Sequence, residues 1–359
     1  MKSKNKMSKS LLGGVLLLLG FALVGMGASY AAPFAYITNA HSANVSVIDT
    51  ATNTVVATVP VGTSPFGVAV NPAGTFVYVV NSASNNVSVI NTATNTVTAT
   101  VPVGAYAYGV AVHPASTFAY VTNVASNNVS VIDTATNTVV ATVPVGTAPQ
   151  GIAVNPAGTF AYVANFFGNN VSVINTATNT VAATVPVGTF PQGVTVNPAG
   201  TFAYATNGAN NNVSVIDTVT NTVVATVLVG INPFGVAVHP AGTFAYVMNQ
   251  GSNTVSVINT ATNTVVATVP VGAIPVGVAV HPAGTFTYAV NQGSNTVSVI
   301  DTVTNTVVAT VPVGLTPFGL GNFIGPAVAS CDVDHSDQHN SSGSNHDGDC
   351  NADHQAGSK

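Results

Sequence analysis

Seven copies of one 42-residue unit follow one another through this chain with no change of length. The tyrosine of Tyr120-Val121-Thr122-Asn123 returns as Tyr36, Tyr78, Tyr162, Tyr204, Tyr246 and Tyr288, and the glycine that closes each unit returns as Gly62, Gly104, Gly146, Gly188, Gly230, Gly272 and Gly314. Within a unit, four short segments alternate apolar with small or polar residues at period two, which is the pattern of strands. In the unit beginning at Pro65 these are Gly67–Asn71 (strand A), Phe76–Asn81 (strand B), Asn86–Asn91 (strand C) and Thr96–Val103 (strand D). Turn-forming Asn71-Pro72-Ala73-Gly74, an Asn-rich loop and Asn91-Thr92-Ala93-Thr94-Asn95 separate them. Solenoid repeats of this length are helical, whereas four antiparallel strands every ~40–50 residues make a propeller blade.

The ends of the repeat region predict closure. Pro33 leads directly into a strand B, Phe34–Asn39, so the first blade lacks its own strand A; the missing strand stands at the other end, in Pro317–Phe323. The expected fold is all-β, a seven-bladed β-propeller of four-stranded antiparallel blades, with N- and C-terminal strands sharing one blade. A leader over residues 1–31, the propeller over 32–326 and a tail over 327–359 make up the expected domain order.

The repeat resembles the YVTN-family β-propeller repeat. Its naming tetrapeptide is literal at Tyr120–Asn123 and close at Tyr36-Ile37-Thr38-Asn39, and the run Val-Ser-Val-Ile-Asp/Asn-Thr accompanies it over residues 33–325. The resemblance implies an exported or cell-surface propeller similar to surface-layer components, and related propellers occur in lactonases and haem-binding nitrite reductases. Fold follows strongly from such a likeness and function weakly. The A–B turn departs from the family's Pro-Asp-Gly: it reads Pro-Ala-Gly, and Pro114-Ala115-Ser116 loses the glycine as well.

Charge narrows the partners. Lys2, Lys4, Lys6 and Lys9 precede the apolar run from Leu11 to Val24, and Ser29-Tyr30-Ala31 then supplies small residues for a signal peptidase. A cleaved secretory leader is expected, with an uncleaved membrane anchor as the alternative. The remaining chain holds Lys359 as its one basic residue, ten aspartates and no glutamate, so nucleic acid and anionic membranes are excluded as partners. Both cysteines, Cys331 and Cys350, lie in the tail, where they either close a small loop or stay free thiols. The same segment carries six aspartates and His335, His339, His346 and His354, and has too little apolar content for a core. It reads as a disordered acidic tail, or as a weak site for zinc, copper or nickel.

Several features that recur between units read as structural within the repeat itself. The Phe and Tyr two apart on each strand B share a face and are expected between blades. Asp49, Asp133, Asp217 and Asp301 alternate with Asn91, Asn175 and Asn259 at one site, as residues that bond the backbone of a tight turn do. His113, His239 and His281 stand where other units have Asn71, Asn155 and Asn197, which fits a polar turn residue better than a channel metal.

The copies differ mainly where the D–A connections and B–C loops fall on one face of the ring. Phe66, Tyr106, Tyr108, Phe166, Phe167, Phe190, Phe234 and Phe318 gather there among amide side chains. The propeller has no Lys, Arg or Glu to act as acid, base or cation, so catalysis is not expected, nor any cofactor. The leading expectation is an exported, non-enzymatic scaffold, a monomer or surface array that binds protein or glycan of the cell envelope through that aromatic face. The alternative is a periplasmic metal- or haem-dependent enzyme of lactonase, lyase or redox type using His113, His239, His281 or His41, or metal binding by the tail.

Overall fold

The computed structural model describes residues 33–326 and the short strands Tyr30–Ala31 and Val328–Ala329. Residues 1–29, where a leader is expected, and the tail residues Cys331, Cys350, His335, His339, His346 and His354 lie outside the described residues. Seven blades form the ring, six of them four-stranded sheets in the order A-B-C-D. In blade 2 these strands are Pro65–Val70, Phe76–Asn81, Asn86–Asn91 and Thr96–Pro102, and blades 3 to 7 repeat them. Strand A begins earlier than the alternation suggests because a bulge between Pro65 and Val68 interrupts its pairing with strand B. Pro65 still pairs with Asn81 on the near side of the bulge, a contact the period-two pattern does not reveal.

Blade 1 has three regular strands, Phe34–Asn39, Asn44–Asp49 and Thr54–Pro60, and the C-terminal segment completes it. The Phe318 N–H donates to the Thr38 carbonyl at 2.9 Å, Tyr36 N–H to Phe323 at 2.9 Å, and Gly325 N–H to Phe34 at 3.1 Å. The same segment also holds blade 2, whose Val68 and Val70 N–H groups donate to Leu320 and Asn322 at 2.9 Å each. It closes the ring as isolated bridges rather than a regular strand, since Gly319 (φ +61°) and Gly321 (φ +124°) break the extended backbone. Phe318, Leu320 and Phe323 are buried alongside these bridges and anchor them.

Turn chemistry repeats with the sequence. Asn71 Oδ1 accepts the Thr75 and Phe76 N–H groups at 2.8 and 3.0 Å while Gly74 sits at φ +72°. Ser116 takes that glycine's place at φ +57°, a left-handed conformation that costs about 1–2 kcal/mol for a residue with a Cβ. Asp133 Oδ1 accepts Ala135 and Thr136 N–H at 3.0 and 2.9 Å, as Asn91 Oδ1 accepts Ala93 and Thr94 at 2.9 and 3.2 Å. These bonds, above all those from Thr136, hold the Asp133 carboxyl below its usual range and explain why Asp and Asn interchange there.

The core lies between blades. Each strand-B tyrosine is fully buried there, and the phenylalanine two residues before it packs against the same cluster. The Tyr288 hydroxyl donates to Asn53 Oδ1 of the next blade at 2.9 Å, while the buried hydroxyls of Tyr120, Tyr162, Tyr204 and Tyr246 have no partner among the described residues. Tyr288→Phe is therefore expected to lower stability by about 1 kcal/mol, whereas Tyr204→Phe removes an unpaired group and should leave it level or higher. Urea midpoints for the two variants check this, and equal losses would show that both hydroxyls are bonded in solution.

Candidate functional site

Strand A lines the axis, and its second residue faces the loop side of the ring. Going round from blade 2 this residue is Phe66, Tyr108, Gln150, Gln192, Phe234, Val276 and Phe318. The aromatic members pack on one another across the axis. Ring centroids are 4.6 Å apart for Phe66–Phe318, 5.2 Å for Phe66–Tyr108, 5.6 Å for Tyr108–Phe318 and 5.5 Å for Phe234–Phe318. With Phe234 and Phe318 only 6% and 5% exposed, these rings form a plug. On the turn face the channel is a separate chamber of about 560 Å³, walled by strand-A residues such as Val112, Val154, Thr195 and Val196.

Where the plug gives way to Gln150 and Gln192, a pocket of about 490 Å³ opens on the loop face. Tyr108 and Phe234 close its inner side and Phe166 and Phe190 its outer side. Its polar wall is a directed chain of amides. Gln192 Nε2 donates to Asn232 Oδ1 at 2.9 Å, and Asn232 Nδ2 donates to Gln250 Oε1 at 2.7 Å. Donation runs one way along this chain, so Gln250 Nε2 is its terminal donor, and bonds aligned in series polarise one another. Gly208 lets the chain lie against the backbone, since a Cβ there would strike Gln192 Nε2 and stand 2.8 Å from Asn232 Oδ1. Gln150 Oε1 is buried beside the pocket without a partner among the described residues. Burial pushes the Tyr108 phenol up, so its hydroxyl stays protonated and able to donate.

The eight aromatic residues singled out in the sequence thus divide. Phe66, Tyr108, Phe234 and Phe318 make the plug. Phe166, Phe167 and Phe190 form a second group, with Phe166 and Phe190 stacked at 4.7 Å and 12° and Phe167 edge-on to both. This group is open to solvent, Phe167 being 62% and Phe190 38% exposed. Tyr106, half exposed, belongs to neither. Gln150, Gln192, Asn232, Gln250 and Gly208 were not singled out, although aligning the copies exposes two of them: Gln replaces an aromatic only at positions 150 and 192.

The described histidines, His41, His113, His239 and His281, do not come together as a metal or haem site. Nδ1 of His113 and of His239 accepts the N–H of Ala115 and Ala241 at 3.1 Å, so Nε2 carries the proton and donates to Gly158 and Gly284 carbonyls at 2.9 Å. Both ring nitrogens are therefore occupied. His281 Nδ1 accepts Ala283 N–H in the same way, and His41 bonds Thr316 on the loop face. Among the described residues no three His, Cys, Asp or Glu side chains stand together, and none lines the loop-face pocket. The donor set does not fit a metal or haem there.

Comparison with solved structures confirms the architecture. The chain is similar to the structure titled Kuenenia stuttgartiensis hydrazine synthase (TM-score 0.70, 23% identity, covering 80% of this chain and 99% of that one). It is also similar to a functionally unknown protein from Desulfotomaculum acetoxidans (TM-score 0.72, 19% identity, 83% and 99% covered). A third similar structure is dihydro-heme d1 dehydrogenase NirN in complex with DHE (TM-score 0.61, 14% identity, 82% and 76% covered). Identities this low establish the fold alone. No curated protein matches the chain. The family described as "Lactonase, 7-bladed beta-propeller" matches residues 94–230 and 230–310, well over half of the sequence.

That match overturns the expectation of a non-enzymatic scaffold. The expectation rested on the lack of Lys, Arg and Glu, but neutral amide and hydroxyl donors also stabilise a developing oxyanion, so the lack of charge does not exclude catalysis. With a closed seven-bladed ring and a family match that spans every residue of the loop-face pocket, this chain belongs to the lactonase family of seven-bladed β-propellers.

Proposed function

We propose that this protein hydrolyses uncharged lactones in the loop-face pocket. The observation that carries this reading is the lactonase-family match, because residues 94–310 include the whole pocket lining from Tyr108 to Gln250. In the reaction, water oxygen bonds to the ring carbonyl carbon, the ring C–O bond breaks, and the departing alkoxide takes a proton from that water to leave a hydroxy acid. Gln250 Nε2 and the Tyr108 hydroxyl donate to the carbonyl oxygen as it gains charge. The buried Phe234 sets apolar surface against the inner side of this oxygen, which strengthens both hydrogen bonds. No carboxylate or imidazole lines the pocket, so the attacking water is activated by solvent hydroxide and the rate rises with pH.

Substrate charge follows from the wall. Without a lysine or arginine in the propeller, a phosphorylated or acidic lactone has nothing to pair with. The leader and the repeat's resemblance to surface-layer-type propellers support placing this activity in the cell envelope. The test is ring opening followed by acid release at constant pH, with δ-decalactone and a phosphorylated sugar lactone as substrates. Turnover of δ-decalactone alone, with loss of about tenfold or more in Gln250→Leu, is expected. If no neutral lactone opens faster than in buffer, the hydrolase reading fails.

A further inference from the structure

Besides the B–C loop residue, Ala43 in blade 1 and an asparagine in the other six, a second backbone position on the loop face is left-handed in all seven blades. It is the residue before strand A in each D–A connection, with φ between +52° and +56°. Glycine is the cheapest residue for that conformation, and β-branched residues are the costliest. The occupants are Ser64, Tyr106, Ala148, Phe190, Asn232, Ile274 and Thr316, seven different types and no glycine. In six blades the N–H of this residue donates to an asparagine Oδ1 from the preceding blade's B–C loop, as Phe190 does to Asn169 at 3.1 Å and Asn232 to Asn211 at 2.9 Å. The scaffold therefore enforces the strained backbone identically in those blades and leaves only the side chain to vary. Strain held in place by a repeated bond, and carrying a different group each time, is the arrangement of a recognition position rather than of a structural turn.

Two of these seven residues reach the pocket, and they bring opposite chemistry. Asn232 is the central link of the amide chain, and Phe190 is the outer stacked ring, continuous with Phe166 and the exposed Phe167. We infer that Phe190 and Asn232 are the specificity-determining residues of this site, and that its substrate is an uncharged lactone bearing an alkyl or aryl substituent. The polar ring of the ligand meets Asn232 and its amide neighbours, and the substituent covers the Phe166–Phe167–Phe190 surface, removing apolar area from water at both partners. The inference rests on reading the pocket as the lactone site.

Equilibrium dialysis with δ-valerolactone and δ-decalactone, which differ only in an alkyl tail, tests it on the full mature chain. Wild type is expected to bind the tailed lactone about tenfold more tightly or better, from burial of its methylene groups. Phe190→Gly, which suits φ +56°, should reduce that preference to about twofold with unchanged β-sheet circular dichroism. Ile274→Gly relieves the same backbone strain outside the pocket lining and should keep the preference. Equal affinities in wild type, a preference that survives Phe190→Gly, or one lost in Ile274→Gly overturns the inference. Preferential binding without ring opening sinks the hydrolysis reading and leaves this one standing; ring opening without preference does the reverse.

Discussion

Replacing Gly193 with alanine is expected to destabilise the ring by about 3 kcal/mol, the upper end of what overpacking a tight interior costs. Gly193 lies in strand A of blade 5, where a Cβ would fall well inside contact distance of the Phe234 carbonyl oxygen in blade 6 and 3.3 Å from Gly235 Cα. The obstacle is backbone, which cannot swing aside as a flexible side chain does. Gly67, Gly109, Gly151 and Gly235 face the next blade's carbonyl in the same way, so relief at one blade meets the same limit at its neighbours. The cause is geometric: the strands A converge on one axis, and at this glycine the backbone of the next blade leaves no room for a Cβ. Urea denaturation of Gly193→Ala beside Gly200→Ala checks it. A Cβ on Gly200 would make only an ordinary contact, 3.7 Å from Pro156 Cδ, but φ is +71°, so its loss should be about 1 kcal/mol and conformational in origin. Equal midpoints for the two variants would mean that the blades spread apart to accept a methyl group.

Gly208→Ala is expected to act mainly on the site, lowering kcat/KM for a neutral lactone about tenfold or more at a stability cost of about 1 kcal/mol, that of one lost hydrogen bond. The added methyl meets the far ends of Gln192 and Asn232, which can rotate away, so the fold is not strained. Rotation breaks the 2.9 Å Gln192–Asn232 bond and with it the alignment that ends on Gln250 Nε2. A bond worth about 1.4 kcal/mol in the transition state corresponds to a factor of ten. Unchanged turnover in a folded Gly208→Ala protein would remove the amide chain from the reaction.

These two glycines show which parts of the molecule were legible in its sequence. The blade count, the strand-B and strand-C limits and the two-ended closure follow from the 42-residue period, because each blade repeats the same local rules of alternation and turn chemistry. Roles set within a unit were equally legible: the Asp and Asn residues of the C–D turns cap their own backbone, and the strand-B tyrosines fill the space between blades. The pocket was legible only as a face. Its aromatic residues were visible as a collection, but not their separation into a buried plug and an exposed group.

Sequence by itself determined the architecture and the lack of charge in the propeller, since both are sums over local residues. Tertiary structure decided the site. Tyr108, Gln150, Gln192, Asn232 and Gln250 come from different blades, and only curvature about a common axis brings them to one pocket. The non-enzyme expectation was overturned by the family match and not by the ring, but the aligned neutral donors along one wall of the pocket are a property of stacked blades that a residue count of acids and bases does not register.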